Sequence, residues 1–254
     1  MGELLSVRRV SKSFIRGDRP LPVLVDVSLE VAAGEIVAIV GSRDSGKTTL
    51  LRVAAGMERP DWGEVWLGDR ELTRCSDSRR ARLLGQEIAW TDREGSGMRV
   101  QVRDFVGLPL TMGRSRGRRE MRALAQTALE RVGVPGCAEQ RWEDLSNWER
   151  VLVGLARGIV ARPRLLVIDD LLDALGLIRT QEAGDLLRAL VAELGCGVLM
   201  SVADPAVGLV ADRVWSFRRG GLELLSDQAH VTDAEIIDFP AVARRGGDSR
   251  GLGS

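Results

Sequence analysis

The segment from Gly41 to Thr49 carries the clearest chemical pattern in the sequence and reads GSRDSGKTT. A glycine, four further residues, a second glycine, a lysine and a hydroxyl residue form the spacing of a phosphate-binding loop. Such a loop turns successive backbone N–H groups inward around phosphate oxygens, and the helix that follows adds the positive end of its dipole. We therefore expect this segment to bind the phosphates of a nucleotide.

Side chains within this loop have separate expected tasks. Lys47 is spaced to reach the β- and γ-phosphates of ATP, and the Thr48 hydroxyl to ligate Mg²⁺. Asp44 is unusual, because its carboxylate opposes the phosphates unless Arg43 or Mg²⁺ compensates for it. Nucleotide contacts are expected along the whole loop, from Gly41, Ser42, Arg43, Asp44, Ser45, Gly46, Lys47, Thr48 and Thr49. The ordinary alternative is a glycine turn with a solvated lysine.

A second candidate group follows the apolar run from Leu165 to Ile168, in the string LLVIDD. In a parallel sheet the carboxyl ends of the strands face the ligand crevice, so Asp169 is placed to hold the hydration shell of Mg²⁺. A carboxylate after a strand is otherwise more often a helix cap. The upstream phosphate-binding loop favours the metal role for Asp169.

These groups need a sheet that brings the ends of its strands together. Glu35 to Val40 predicts an apolar strand that enters the loop, and Lys47 to Ala55 predicts a helix that Gly56 ends. Three more strands and one helix are predicted further along, at Leu165 to Asp169, Thr180 to Leu194 (helix), Gly197 to Val202 and Arg213 to Phe217. Alternation of strand and helix indicates a parallel sheet, and hence an α/β fold.

Two additions to this core are predicted. Leu4 to Val10 and Val23 to Val31 indicate an antiparallel strand pair, with turn residues from Gly17 to Pro22 between them. Residues 95–161 have helical spacing and indicate an inserted helical lobe. The domain is expected to span residues 1–228, and the polar tail 229–254 has too little apolar surface to offset its ordering entropy, so we expect disorder there.

Composition excludes several classes of function. The 254 residues carry 36 basic and 36 acidic side chains, a balance that does not favour a nucleic-acid partner. The three cysteines have neither zinc nor disulfide spacing, which fits a reducing compartment. The apolar runs are shorter than the ~20 residues of a membrane helix, and the N-terminus has no secretory layout. Any membrane role is therefore expected to come through a partner.

The stretch from Asp144 to Asp170, DLSNWERVLVGLARGIVARPRLLVIDD, resembles the segment between the signature and the Walker B strand of ABC ATPases. The similarity extends from VSKSF at Val10 to Phe14, through the VLVDVSLEVAAGE run, to ADRVW at Ala211 to Trp215. Within this family the chain looks most like the lipoprotein-release and macrolide-export ATPases. The resemblance implies a P-loop NTPase with a RecA-like core, bound to ATP and Mg²⁺.

The resemblance also implies an assembly. Two such subunits enclose two ATP molecules, each held by one phosphate loop and by the opposite subunit's signature, where Ser146 would contact a γ-phosphate. Phe14 corresponds to the aromatic residue that stacks on adenine, although an ordinary strand residue is an equal interpretation. Integral membrane permease subunits are the implied partners, with the chain peripheral on the cytoplasmic side of the plasma membrane.

Departures from the family pattern fall on groups used for hydrolysis. The signature glycines and glutamine are replaced by Asn147, Trp148 and Glu149, and Trp148 stands where a glycine lets the backbone approach closely. The catalytic glutamate is replaced by Asp170, which is one methylene shorter. Three other family positions also differ: the switch histidine is Ala203, the glutamine between the lobes is Arg93, and the aspartate after Walker B is Gly176.

Three hypotheses follow from this pattern. The preferred one is an ATP-binding transporter subunit with weak hydrolysis, paired with a second ATPase chain that retains the standard residues. Two alternatives stay open: a hydrolytically active homodimer, in which Asp170 suffices or the alignment is shifted, and a regulatory ABC-like protein without a transporter.

Overall fold

The computed structural model describes residues 3–93, 100–112 and 116–227. Within these ranges ten strands form two sheets: β1 (Glu3–Arg16), β2 (Arg19–Ala32), β3 (Ile36–Val40), β4 (Trp62–Leu67), β5 (Arg70–Glu71), β6 (Ile88–Asp92), β7 (Leu165–Asp169), β8 (Gly197–Val202), β9 (Arg213–Arg218) and β10 (Gly221–Asp227). Seven α-helices surround them in this part of the chain: α1 (Lys47–Ala54), α2 (Asp77–Gln86), α3 (Val102–Gly107), α4 (Arg118–Arg131), α5 (Asn147–Ile159), α6 (Leu177–Leu194) and α7 (Pro205–Gly208).

The larger sheet has six strands in the order β10-β9-β3-β8-β7-β6, and only β10 runs antiparallel. Strand β3 is buried throughout, because helices or the second sheet cover each face of the sheet. Its residues alternate between two cores: Ala38 and Val40 pack with the helical lobe, while Val37 and Ile39 pack with α1 and the antiparallel sheet. Near-continuous apolar runs are expected where a parallel sheet is buried on both faces.

The smaller sheet is antiparallel, with the order β2-β1-β4-β5. The predicted strand pair is present, but both strands extend further, with the turn at residues 17–18. Pro20 and Pro22, which suggested a turn, instead pair within β2 with Ile15 and Ser13. Proline is tolerated there because β2 is an edge strand, where a missing N–H breaks no ladder on the outer side.

A helical lobe contributes α3, α4 and α5, all within the predicted insertion at 95–161. Its interior is apolar and continuous with one face of the large sheet, through residues such as Phe105, Leu129 and Leu155. With an antiparallel subdomain, a parallel core and this lobe, the predicted fold class is confirmed.

Several elements differ from the sequence-based expectation. Strands β4, β5, β6 and β10 and helix α2 were not predicted, and α6 begins at Leu177 rather than Thr180. The predicted tail at 229–254 lies outside the described residues. No helix in the described part of the chain combines the length and apolarity that crossing a bilayer requires.

Strand register fixes the position of the candidate site. Val40 pairs with Val202, and Asp169 pairs with Asp92 on one side and with Ser201 on the other. The carboxyl ends of four parallel strands therefore meet at one edge. The phosphate-binding loop leaves β3 at this same edge.

Candidate nucleotide-binding site

The phosphate-binding loop connects β3 to α1 through a glycine that no other residue could replace without strain. Gly46 caps α1 with φ of 110°, a backbone conformation that side chains rarely adopt. A Cβ atom at this position would lie 2.6 Å from Val23 Cγ1, which is closer than carbon atoms approach. The second glycine of the motif is thus required both by the turn and by the packing of β2 against it.

Lys47 is buried, with 3% of its surface exposed. Its Nζ donates hydrogen bonds to the carbonyl oxygens of Gly41 and Ser42, at 2.8 and 3.1 Å, and lies 3.8 Å from Asp170 Oδ1. A buried ammonium is costly without such partners. The loop therefore holds the Lys47 ammonium through its own carbonyl oxygens, while its backbone N–H groups are the ones expected to bind phosphates.

The Ser45 side chain of the loop has an unsatisfied hydroxyl group. The Ser45 Oγ is buried and has no partner among the described residues. Buried hydroxyl groups are normally satisfied, so this orphan fits a loop built to receive an external acceptor or donor. Asp44, by contrast, is exposed and has φ of 59°.

The two predicted magnesium ligands line the same cavity. Asp169 ends β7, and the side chain of Thr48 at the start of α1 lies close enough to lower the pKa of the Asp169 carboxyl group. Burial raises the pKa of Asp169, and hydrogen bonds with Ser201 and Thr48 lower it in part. A hydroxyl and a carboxylate beside bound phosphates are the oxygen ligands that Mg²⁺ uses, so these residues fit the ion.

Ser201 was missed by sequence reasoning and links the two adjacent carboxylates. Its hydroxyl oxygen lies 2.6 Å from Asp169 Oδ1 and 2.9 Å from Asp170 Oδ1, and it accepts a hydrogen bond from the Asp170 N–H at 3.0 Å. Asp170 itself has φ of 48°. The available signal was a polar residue within the otherwise apolar strand GVLMSV.

Asp173 was also missed, and it occupies the space near the expected switch position. Both of its carboxylate oxygens accept from the Ala203 N–H, at 3.1 and 2.9 Å. Burial raises the pKa of Asp173, against the lowering effect of this hydrogen bond. The segment after β8 is thereby tied to the segment after β7, while the methyl side chain of Ala203 offers no polar group.

A cavity of about 840 Å³ brings most of the predicted residues together. Those that line it are Phe14, Arg43, Asp44, Ser45, Gly46, Lys47, Thr48, Thr49, Asp169 and Asp170. Sequence analysis did not assign nucleotide contacts to the other lining residues, Val23, Arg52, Trp90, Asp92 and Arg93. Gly41 and Ser42 contribute through their carbonyl oxygens to Lys47, and Ser146 does not line this cavity.

Phe14 lies at the hairpin end of β1 and is 41% exposed. The Lys12 ammonium lies 5.5 Å from the centre of its ring, a cation–π contact, and is also paired with Glu58 and Asp61. This contact holds the ring at the cavity wall. The remaining exposed surface is suitable for stacking against a planar base.

The signature-like segment forms the start of α5. Ser146 is the N-cap residue, and Glu149 completes a capping box with it. The Ser146 hydroxyl donates to Glu149 Oε2 at 2.7 Å, and the Glu149 N–H returns a bond to Ser146 Oγ at 3.3 Å. Trp148 stacks under Arg179 of α6, with 4.7 Å between the guanidinium carbon and the ring centre. The signature-like segment thus gives α5 a well-capped N-terminus, whose first turn carries the bulky Trp148 and the acidic Glu149.

Comparison with known proteins agrees with this geometry. Residues 24–172 match the family described as ABC transporter. The lipoprotein-releasing system ATP-binding protein LolD of Shewanella sp. (strain MR-7) is 30% identical over 227 residues, covering 89% of this chain and 98% of that protein. The aliphatic sulfonates import ATP-binding protein SsuB 3 of Pseudomonas syringae pv. syringae (strain B728a) is 36% identical over 229 residues, covering 88% of this chain and 77% of that protein.

Solved structures agree in fold. The dimeric post-hydrolysis structure of the ATP-binding cassette MJ0796, bound to ADP and phosphate, superimposes with a TM-score of 0.80 at 22% identity and covers 88% of this chain and 98% of that chain. At this identity the likeness shows the fold alone. The sequence matches carry the assignment further and confirm the predicted resemblance: this chain belongs to the ABC transporter family, as one of its ATP-binding subunits.

Proposed function

We propose that this subunit binds Mg-ATP at the loop Gly41 to Thr49 and hydrolyses it slowly or not at all. Its contribution to the transporter is then nucleotide-driven dimerisation, which it couples to membrane permease subunits. The observation that carries the proposal is a complete phosphate-binding loop beside a depleted set of hydrolytic groups. In this reading Phe14 stacks on the base, Lys47 contacts the phosphates, and Thr48 and Asp169 hold the metal ion.

The ion supplies neutralisation of the charge on the β- and γ-phosphates when it is bound. The protein groups around it favour binding over turnover. One oxygen of Asp170 is already engaged by Ser201 and lies close to Lys47, and its side chain is shorter than the family's glutamate. Ala203 offers no side-chain donor to the terminal phosphate. Loss of a single preorganised donor, here the one absent at Ala203, costs about 10² to 10³ in rate. The shorter and already engaged carboxylate of Asp170 lowers the rate further, so we expect very slow hydrolysis.

We propose that the dimer partner is a second ATPase chain that retains the standard residues. The signature of this chain is poorly suited to a γ-phosphate, because the Ser146 proton is donated to Glu149, a negatively charged group. Trp148 further prevents close backbone approach. ATP held between the loop of this chain and the partner's signature would therefore be the stable contact that joins the two subunits.

The permease contact is proposed on the helical lobe, between α3 and α4. A groove of about 350 Å³ is lined by the apolar side chains of Leu108 and Met121 and by three arginines and one aspartate, Arg103, Arg118, Arg122 and Asp104. Asp104 pairs with Arg118 and Arg122, so the lining keeps a net positive charge. An amphipathic helix with acidic residues complements such a groove. The chain would thus be peripheral on the cytoplasmic side of the membrane, and the cargo would be set by the permease.

Calorimetry and phosphate release on the purified chain test this proposal. We expect Mg-ATP binding that Lys47→Ala abolishes, together with little phosphate release. Asp170→Asn is the matched variant, and it is expected to leave the low release rate unchanged. Brisk release that Asp170→Asn eliminates would overturn the proposal in favour of an active homodimer. Recovery of the native chain without integral membrane proteins would instead favour a regulatory protein.

A further inference from the structure

The helical lobe contains a further cavity, of about 570 Å³, where α3 and α4 lie side by side. Six residues line it: Arg103 of α3 and Arg118, Arg119, Arg122, Ala123 and Gln126 of α4. Four of these six are arginines and none is acidic, although the chain as a whole has equal numbers of basic and acidic side chains. We call this site the arginine cavity, and it shares no lining residue with the nucleotide cavity. Positive charge is therefore concentrated at a place that nucleotide binding does not use.

Ion pairs with two carboxylates offset part of this charge. Glu139 Oε1 lies 2.7 Å from Arg103 Nη2. The Asp104 carboxylate lies 3.5 Å from the guanidinium of Arg118 and 2.8 Å from that of Arg122. Neither carboxylate lines the arginine cavity. Three guanidinium groups thus share two carboxylates, and positive charge remains in excess inside the cavity.

Two of the lining arginines have donors without a partner among the residues that the structure describes. The Arg103 Nε atom is buried and makes no hydrogen bond there. Arg119 is exposed and has no ion-pair partner in the same part of the chain. Buried donors are normally satisfied, so an external acceptor would complete the hydrogen bonding of Arg103. The arginine cavity thus has donors available for an anion.

The N-terminus of α4 lies beside these donors. Its N-cap residue is Gly117, which leaves the N–H groups of the first turn without a side-chain acceptor. A Cβ atom at Gly117 would meet nothing within 4 Å, so the backbone is accessible there. Glu120 in the same turn is paired with Arg116 and does not line the cavity. A helix of 14 residues therefore adds the positive end of its dipole to the guanidinium groups.

We infer that the arginine cavity binds a phosphate ester, carried either by a soluble molecule or by the headgroup of an anionic phospholipid. Guanidinium groups present planar forks of N–H donors that match phosphate oxygens, and helix N-termini bind the same oxygens. The volume of the cavity is that of a small-molecule site rather than of an extended strand. This site goes beyond the proposed function, because it does not depend on nucleotide binding.

Two titrations of the full chain carrying Lys47→Ala test the inference, since this variant weakens the phosphate-binding loop as a competing site. Calorimetry with inorganic pyrophosphate, without Mg²⁺, measures binding of a soluble phosphate group. Sedimentation with vesicles of equal parts phosphatidylcholine and phosphatidylglycerol, against vesicles of phosphatidylcholine alone, measures binding of a lipid headgroup. Arg119→Gln should weaken the binding seen in either titration about 5-fold, as for the loss of one arginine at an anionic surface. Arg119→Lys, which keeps the charge, should recover part of it.

Arg79→Gln is the matched control, because Arg79 is also exposed in the first turn of a helix, α2, and does not line the arginine cavity. It removes the same charge and should leave both titrations unchanged. Binding of pyrophosphate alone would support a soluble ligand, and binding of the anionic vesicles would support a lipid headgroup. Equal weakening by Arg79→Gln and Arg119→Gln, or no binding in either titration, would overturn the inference.

A separate titration with Mg-ATP distinguishes this site from the nucleotide site. In a chain with the unaltered loop, Arg119→Gln should leave the affinity for Mg-ATP unchanged, which also reports that the variant is folded. A fall in Mg-ATP affinity as large as the fall in pyrophosphate or vesicle binding would overturn the inference. Failure of the unaltered chain to bind Mg-ATP would instead remove the proposed function.

Discussion

The Ser201 hydroxyl oxygen lies 2.6 Å from Asp169 and 2.9 Å from Asp170, so one side chain joins the proposed metal ligand to the proposed hydrolytic carboxylate. A serine hydroxyl has a single proton and can donate to only one of them at a time. The two carboxylates therefore share a donor rather than being oriented independently. This shared donor supports a site that binds the metal ion and the phosphates rather than one that activates water.

Ser201→Ala is expected to destabilise the protein. Two half-buried carboxylates would lose their common donor, and an unsatisfied buried polar group costs about 1–3 kcal/mol. Urea unfolding measures the free-energy change directly. Ser28→Ala is the matched control, since the Ser28 hydroxyl accepts from the Arg9 N–H at an exposed position where water replaces it. Equal effects of the two substitutions would contradict this explanation.

Asp169→Asn is expected to have opposite effects on stability and on binding. Burial raises the pKa of Asp169 in the folded protein above its value in the unfolded chain. As the pH rises from the unfolded to the folded pKa, the unfolded chain ionises first, and the free energy of unfolding therefore falls. The neutral amide removes this penalty, and the thermal midpoint without nucleotide should rise at pH 7. Affinity for Mg-ATP should fall about 10- to 100-fold, because an oxygen that holds the metal's hydration shell is lost. A lower midpoint or unchanged affinity would count against these roles.

The capping box at α5 predicts a pH-dependent difference between wild type and Glu149→Gln. Hydrogen bonds from Ser146 lower the pKa of Glu149, with burial acting in the opposite direction. A carboxylate whose pKa is lower in the folded protein stabilises the fold at any pH above its pKa in the unfolded chain, which is about 4.3 for glutamate. This stabilisation is lost as the pH falls through the lower pKa of the folded state. Wild type should thus exceed the variant in unfolding free energy at pH 7, and the difference should shrink below about pH 4. A constant difference across this range would contradict the assignment.

The stack between Trp148 and Arg179 should couple the signature-like segment to α6. A double-mutant cycle with Trp148→Ala and Arg179→Gln is expected to give an interaction free energy of about 0.5–1 kcal/mol, as for other cation–π contacts at partly exposed sites. Trp148→Phe in place of alanine should retain part of it. Strictly additive effects in urea unfolding would show that the contact contributes nothing.

Local patterns predicted the parts of this protein that depend on neighbouring residues. The loop around Lys47 and the strand before Asp169 can each be recognised from a few consecutive residues, because backbone geometry and apolar runs are local properties. Strand β6 was missed, since Thr91 and Asp92 interrupt its apolar character and only burial in the sheet makes it a strand. Tertiary context outweighs propensity in such segments.

The polar network could not be predicted for a different reason. Ser201 acts on carboxylates 31 and 32 residues away, and Asp173 holds an N–H 30 residues away. These contacts are created by the order of strands in the sheet, which a single sequence does not specify. Asp173 also gave no motif to follow, because it lies just beyond the two aspartates that the Walker B pattern identifies.

Thermal unfolding with saturating Mg-ATP tests the central claim most directly. A ligand present at 100 times its dissociation constant stabilises the folded state by about 2.7 kcal/mol, so the midpoint of the unaltered chain should rise by several degrees. The Lys47→Ala variant should show no such rise. If Mg-ATP leaves the midpoint of the unaltered chain unchanged, or protects the variant equally well, then the loop between β3 and α1 does not bind the nucleotide.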